Sequence, residues 1–298
     1  MKLAKITFII LLAMPLTVWA AMPDGKKAGT IDELAGMYDI SSCKECHKAI
    51  YEEWEKSIHA QSLVGTGATM SGIRKFVTQA LMKEWAYSGA KNLDDVTVQH
   101  VTVCLKCHLP QIQNAGDQVA RQIARAVIDG DEAMLKKVGI NCLVCHNSHA
   151  LVHKWLDGAP ERETLYGAKE GPHAGSSFKS LKRSPIIKEA IICGQCHGSG
   201  PNFDLPQPTQ CATLYGSYLH AYIPSGGSQT CQDCHIKKDK AGHLMPAYRD
   251  NKLARSAVDM RVDALAYCFL PRVGDSPSPM VVLRVNLTNK AGHRIPDG

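Results

Sequence analysis

The sequence predicts a mainly α chain with extensive loops and a small C-terminal β segment. Three observations predict it. Apolar residues recur at helical spacing through the first part of the chain. Stretches rich in glycine and proline interrupt that periodicity. The last forty residues switch to alternation of apolar and polar positions, which is the period of a strand.

The chain opens with Lys2 and Lys5, then an apolar run from Ile6 to Val18, then the small-residue pattern Val18-Trp19-Ala20. This is the layout of a secretory signal peptide, residues 1–20, cleaved after Ala20. A membrane anchor is the rival reading. The run is shorter than the roughly 20 residues a span needs, and Pro15 interrupts it. The expected product is exported, periplasmic or extracellular at the cell surface, with no membrane span after cleavage.

Residues 72–88 carry Ile73, Phe76, Val77, Ala80, Leu81 and Trp85 on one helical face. Residues 118–128 repeat the pattern with Val119, Ile123 and Val127. A further helix is expected to start at Pro185, where proline suits the first turn. Residues 157–176 and 198–210 read as loops. Aromatic residues are only 6% of the chain, too few large side chains for a conventional core of this size.

The cysteines indicate what fills it. Ten of the 12 fall into five copies of Cys-x-x-Cys-His: Cys43/Cys46/His47, Cys104/Cys107/His108, Cys142/Cys145/His146, Cys193/Cys196/His197 and Cys231/Cys234/His235. Composition alone would yield roughly 0.02 such matches, and this pattern attaches c-type haem. Two thiols three positions apart reach the two vinyl groups along one porphyrin edge. The following histidine then falls beneath the iron as proximal ligand. A zinc ribbon needs two cysteine pairs per metal and no histidine after each. A thioredoxin-like motif occurs once, beside a strand–helix unit. A disulfide framework does not account for five histidines in register. The expected cofactors are therefore five covalently bound haem c groups, stacked so that they organise the fold. Motif starts lie 61, 38, 51 and 38 residues apart, which argues against a simple tandem repeat.

Five irons also need sixth ligands, and eight histidines remain. His59 ends an amphipathic stretch that begins at the first motif. His149 and His153 are four apart and share a face if helical, so one of the two is the expected ligand. His173, His243 and His293 lie in loops next to glycine or proline, where backbone comes close to a flat macrocycle. His100 and His220, each upstream of a motif, are the weakest candidates. Methionine, with Met70 and Met245 in suggestive loops, is the alternative donor and would raise the reduction potential.

The organisation expected is a signal peptide at 1–20, a pentahaem domain at 21–255, and a β segment at 256–298. In the β segment, Val281, Leu283, Val285 and Leu287 alternate with Arg284, Asn286 and Thr288, a half-buried strand pattern. A first strand is expected at 260–270 and a second at 280–288, with the turn between. Two strands alone are marginal in water. The hairpin therefore either packs on the haem domain or belongs to a longer protein of which this chain is a fragment. Cys211 and Cys268 are left over, as a disulfide tying hairpin to haem domain or as two buried thiols.

Several of these pieces resemble the cytochrome c-554-like multihaem family. They are Trp54-x-x-Ser57-x-His59-Ala60, the Pro172-His173 loop ahead of Cys193-Gly194-x-Cys196-His197, and Thr230-Cys231-Gln232-Asp233-Cys234-His235. The terminal Gly292-His293-Arg294-Ile295-Pro296-Asp297-Gly298 is similar to an element of longer relatives with a C-terminal β-domain. The resemblance covers most of residues 41–298. It implies electron carriage between periplasmic or surface redox proteins, and in some relatives assembly into extracellular filaments. Five haems rather than four, and Asp297 where threonine is usual, depart from the pattern.

Without Lys2 and Lys5 the chain holds 32 basic and 28 acidic residues, a net +4. Ten propionates and five ferric cores would bring the oxidised form to about −1 and the reduced form to about −6, so the basic sequence carries no implication of nucleic acid. Three functions are consistent with this. The first is electron transfer among redox-protein donors and acceptors through mostly bis-histidine haems, with no catalysis. The second is a reductase of a small nitrogen or sulfur oxyanion with one open iron. The third is self-association into a conducting filament.

Overall fold

The computed structural model describes residues 27–147, 163–173, 177–198, 201–202, 209–210, 213–236, 242–247, 249–270, 276 and 278–295. Expectations for the signal peptide, His149, His153 and Cys211 lie outside the described residues.

The first half is helical. Helix α1 (Ile31–Met37) starts where Thr30 Oγ1 accepts from Glu33 N at 3.1 Å, while Glu33 reaches back to Gly29 N at 2.7 Å. This reciprocal capping satisfies two orphan donors. Helices α2 (Ser41–Cys46) and α3 (Lys48–Glu55) flank His47. Helix α4 (Ala68–Lys75) runs on into a π-helical turn, Phe76–Glu84. The helix expected at 72–88 thus starts four residues earlier and widens midway. Helix α5 (Val98–His108) follows a capping box at Thr97.

Helix α6 (Asp117–Asp129) buries Val119, Ala120, Ile123, Ala124, Ala126 and Val127 along one stripe. It stops at Gly130, whose φ of 74° is the left-handed conformation glycine adopts without cost. Helices α7 (Glu132–Leu135) and α8 (Cys142–His146) complete this half.

These helices enclose an aliphatic core. Ile31, Leu34, Leu63, Leu81, Leu105, Leu109, Ile112, Ile123 and Leu135 are all under 2% exposed. The scarcity of aromatics therefore does not prevent a conventional core here, because alanine, valine and leucine on short helices pack closely enough. The later half contrasts. Tyr166, Phe178, Ile186 and Ala190 are its buried apolar residues among those described. It is held instead by short strands and by motif helices.

Strands β1 (Thr164–Gly167), β2 (Gly171–Pro172) and β3 (Ser180–Arg183) form a small sheet in the order β1-β3-β2. They fall partly in a stretch read from sequence as loop, and are too short for a period-2 pattern to register. A 3₁₀ turn at Pro185–Lys188 precedes helix α9 (Ile191–His197). The single helix expected from Pro185 is broken where Glu189 turns extended. The pair β4 (Pro201–Asn202) and β5 (Thr209–Gln210), helices α10 (Leu214–Ser217), α11 (Cys231–His235) and α12 (Asn251–Ser256) follow.

The C-terminal hairpin forms as expected, slightly longer, from β6 (Val258–Phe269) and β7 (Ser278–Asn289). Opposed residues share a face. One face carries Met260/Leu287, Val262/Val285, Ala264/Leu283 and Ala266/Val281. The other carries the pair Asp263–Arg284 at 2.9 Å beside Leu265/Val282 and Tyr267/Met280. The strands are not half-buried: all 24 residues are exposed, since no second layer covers either face among the described residues. Cys268, expected either in a disulfide or buried, is an exposed free thiol.

Candidate metal centres

Each Cys-x-x-Cys-His motif folds as a short helix or the end of one. Residues three and four apart share a helix face, so both thiols and the following imidazole project to one side. Asn141 caps α8 by accepting from Leu143 N at 3.1 Å. Thr230 and Asp233 cap α11 reciprocally, at 3.3 Å and 2.8 Å.

The motifs are brought together in space. The thiols of Cys43 and Cys142 hydrogen-bond each other, as do those of Cys193 and Cys231, and of Cys107 and Cys196. Gln232 Nε2 donates to Ile187 O at 2.9 Å and Glu189 O at 2.8 Å, holding α11 against the lead-in to α9. Burial lifts the Cys145 thiol to about 11.

Histidines pair across the molecule. The ring centroids of His47 and His173 are 6.3 Å apart at 18°, those of His59 and His197 6.1 Å at 80°, and those of His235 and His293 6.3 Å at 19°. In each pair one member is a motif histidine. Two imidazoles bound end-on to one metal, with bonds of about 2.0–2.1 Å and about 1.1 Å from nitrogen to ring centre, lie about 6.2–6.4 Å apart. Rotation about the nitrogen–metal–nitrogen axis changes the interplanar angle without changing that distance. A spacing held within 0.2 Å while the angle runs from 18° to 80° has that property. Ring contacts also reach this distance, as Trp85 and His100 do at 6.3 Å and 72°; what sets the three pairs apart is that each joins a motif histidine to one outside the motifs. The residues therefore fit an iron porphyrin with two axial histidines.

Backbone carbonyls orient five histidine rings through Nδ1, three of them members of these pairs. His146 Nδ1 meets Tyr166 O at 2.7 Å, His235 Nδ1 meets Pro246 O at 2.7 Å, and His293 Nδ1 meets Arg294 O at 2.9 Å. Longer contacts of 3.3 Å join His108 Nδ1 to Ser62 O and His173 Nδ1 to Phe178 O. A donor bond at Nδ1 leaves Nε2 as the metal-binding lone pair. These acceptors are main-chain atoms, so no side-chain pattern announced them.

Burial keeps His59 neutral, pulling it down to about 4, with the neighbouring His197 and His108 adding to the effect. Burial also lowers His108 and His197. A neutral imidazole is the form that binds metal.

The remaining candidates separate. His100 has both ring nitrogens engaged: Nδ1 accepts from Thr97 N at 3.2 Å, and Nε2 lies 2.9 Å from Ser88 O. As described it is a helix-capping residue, edge-on to Trp85, with no nitrogen left for iron. His243 sits near His47, its backbone N donating to Glu53 at 2.9 Å, and is in no ring-to-ring pair among the described residues. His220 is exposed beside a cavity of about 660 Å³ that His293 also lines. His108 lies close to His59 and His197 but is in no ring-to-ring pair among the described residues. Met245, one of the two methionines considered as donors, has a φ of 49° in the loop after the fifth motif. No helix among the described residues is long and apolar enough to cross a membrane.

In comparisons with known proteins, residues 42–147 match the model of the family described as cytochrome c554 and c-prime. That span holds the first three motifs and His59. No curated protein and no solved structure matches the chain.

Proposed function

From a chain whose residues 42–147 match the cytochrome c554 family model, we propose an exported pentahaem c-type cytochrome that carries electrons between redox-protein donors and acceptors. Covalent haem supplies reversible one-electron iron chemistry when bound. The chain's own residues do the rest. Ten motif cysteines tether, five motif histidines bind from one side, and His173, His59 and His293 close the other side of three sites.

The observation that carries this reading is the common spacing of the three imidazole pairs, 6.1–6.3 Å. An iron held between two imidazoles has no open position for a substrate, which suits carriage over catalysis. Backbone bonds at Nδ1 fix the rings of His173, His235 and His293, so little there rearranges when charge changes. Residues 21–255 would form the haem domain and 256–298 the β segment.

The test is electron exchange with the purified holoprotein. Carriage predicts complete, reversible reduction and reoxidation, and no steady consumption of nitrite, hydroxylamine or sulfite. Turnover of any of these would move the assignment to a reductase.

A further inference from the structure

We infer that His293 is the sixth ligand of the iron bound at Cys231, Cys234 and His235, and that the β6–β7 arm is the device that delivers it. The inference rests on the bis-histidine reading and extends it to a part of the chain outside the family match, which ends at residue 147.

His235 and His293 stand 6.3 Å apart at 19°, each with Nδ1 turned to a carbonyl oxygen, at 2.7 and 2.9 Å. Both Nε2 atoms are thereby left for a metal.

The loop bearing His293 leaves the base of the hairpin directly. Lys290 N donates to Ala257 O at 2.8 Å, closing the hairpin. Asn289, the last residue of β7, then folds the loop. Its Oδ1 accepts from Ala291 N at 2.8 Å and its Nδ2 donates to His293 O at 2.9 Å. On the far side Arg294 N donates to Ser217 Oγ at 2.9 Å, which ties the loop to α10. A Cβ at Gly292 would lie 3.6 Å from the Tyr222 ring, so the loop rests against that ring at ordinary contact.

The other paired imidazoles come from elsewhere. His59 opens a 3₁₀ turn after α3, backed by the aliphatic core, and His173 follows β2. Among the three paired sites, it is the fifth that takes its ligand from the exposed arm. Its coordination therefore depends on how the arm's base is held, and that of the sites at His47 and His197 does not. Asn289 is a positioning residue in this scheme.

The test uses full-length holoprotein and the ferric spin state, with three single variants that remove an imidazole: His293→Gly, His59→Gly and His173→Gly. His293→Gly is expected to turn one iron high-spin, and added imidazole is expected to return it to low-spin. His293→Met, which retains a ligand, is expected to give one methionine–histidine haem with a raised midpoint potential. Asn289→Ala is expected to yield a partial high-spin signal that imidazole also removes, and His220→Ala to change nothing. If His59→Gly and His173→Gly each free one iron while His293→Gly and His293→Met leave the spectrum as in the parent, the inference is overturned and the bis-histidine reading stands. If none of the three glycine variants changes any iron, the bis-histidine reading itself falls.

Discussion

Gly139 lies beneath the turn that presents His59, and alanine there tests whether that turn positions an iron ligand. A Cβ at residue 139 would overlap the Ala60 carbonyl oxygen, lie 3.0 Å from the Ala60 carbonyl carbon and 3.2 Å from His59 O. All three obstacles are backbone, so no side chain can swing away. The turn is also tied from below by Ile140 N donating to His59 O at 3.0 Å. Carbon contacts settle at about 3.5–4.0 Å, so the turn must rise by roughly half an ångström or more. Functional geometry tolerates about 0.5 Å, and the strain of an added methyl in a packed site costs about 1–3 kcal/mol. Gly139→Ala is therefore expected to lower Tm by several degrees and to convert part of the iron facing His59 to high-spin. Gly72→Ala, inside α4 with nothing within 4 Å of the new Cβ, is the matched control. It is expected to be neutral or to stabilise by about 0.5–1 kcal/mol. A Gly139→Ala holoprotein with the parent's Tm and spectrum refutes the reasoning.

Three further outcomes follow from the same geometry. His100→Ala removes ring bonds to Thr97 N and Ser88 O; it is expected to cost about 1–3 kcal/mol in denaturant unfolding and to leave every iron's spin state unchanged. His59, held neutral in the fold by burial and by iron in the proposed site, takes up a proton near 6.5 when unfolded. Below that value the unfolded chain binds more protons, so acidification from pH 6.5 to 4 is expected to lower stability. His108 and His197 shift in the same direction. Tm measured across that window should fall, and a flat profile contradicts the burial argument. Cys268, exposed and free, is expected to be alkylated in the native holoprotein while the ten motif cysteines are not, as peptide mass mapping would read directly.

The chemistry of each motif was legible because it is local. Cys-x-x-Cys-His needs one turn of helix, and every copy has one. The partners of the irons were legible only as a pool. His59, His173 and His293 stood out by their neighbours in sequence, yet no local feature says that His59 meets His197 or that His173 meets His47, because the members of each pair lie far apart in the chain with many helices between them. His100 could have been set apart earlier. Thr97-x-x-His100 has the spacing of a capping box, with histidine where glutamate or glutamine usually stands.

The hairpin was legible from alternation, and its register follows it pair for pair. Its exposure was not, because alternation reports that a face could be buried and not what would bury it. The strands of the β1–β3 sheet span at most four residues, too few for a period to rise above glycine and proline punctuation.

The central claim is that imidazoles pair across iron at defined angles, and electron paramagnetic resonance of the oxidised holoprotein tests it most directly. Ring planes nearly parallel at His47/His173 and His235/His293, and nearly perpendicular at His59/His197, predict two rhombic low-spin signals and one strongly anisotropic low-spin signal. A spectrum dominated by high-spin ferric iron, or one lacking the anisotropic signal, would contradict the account.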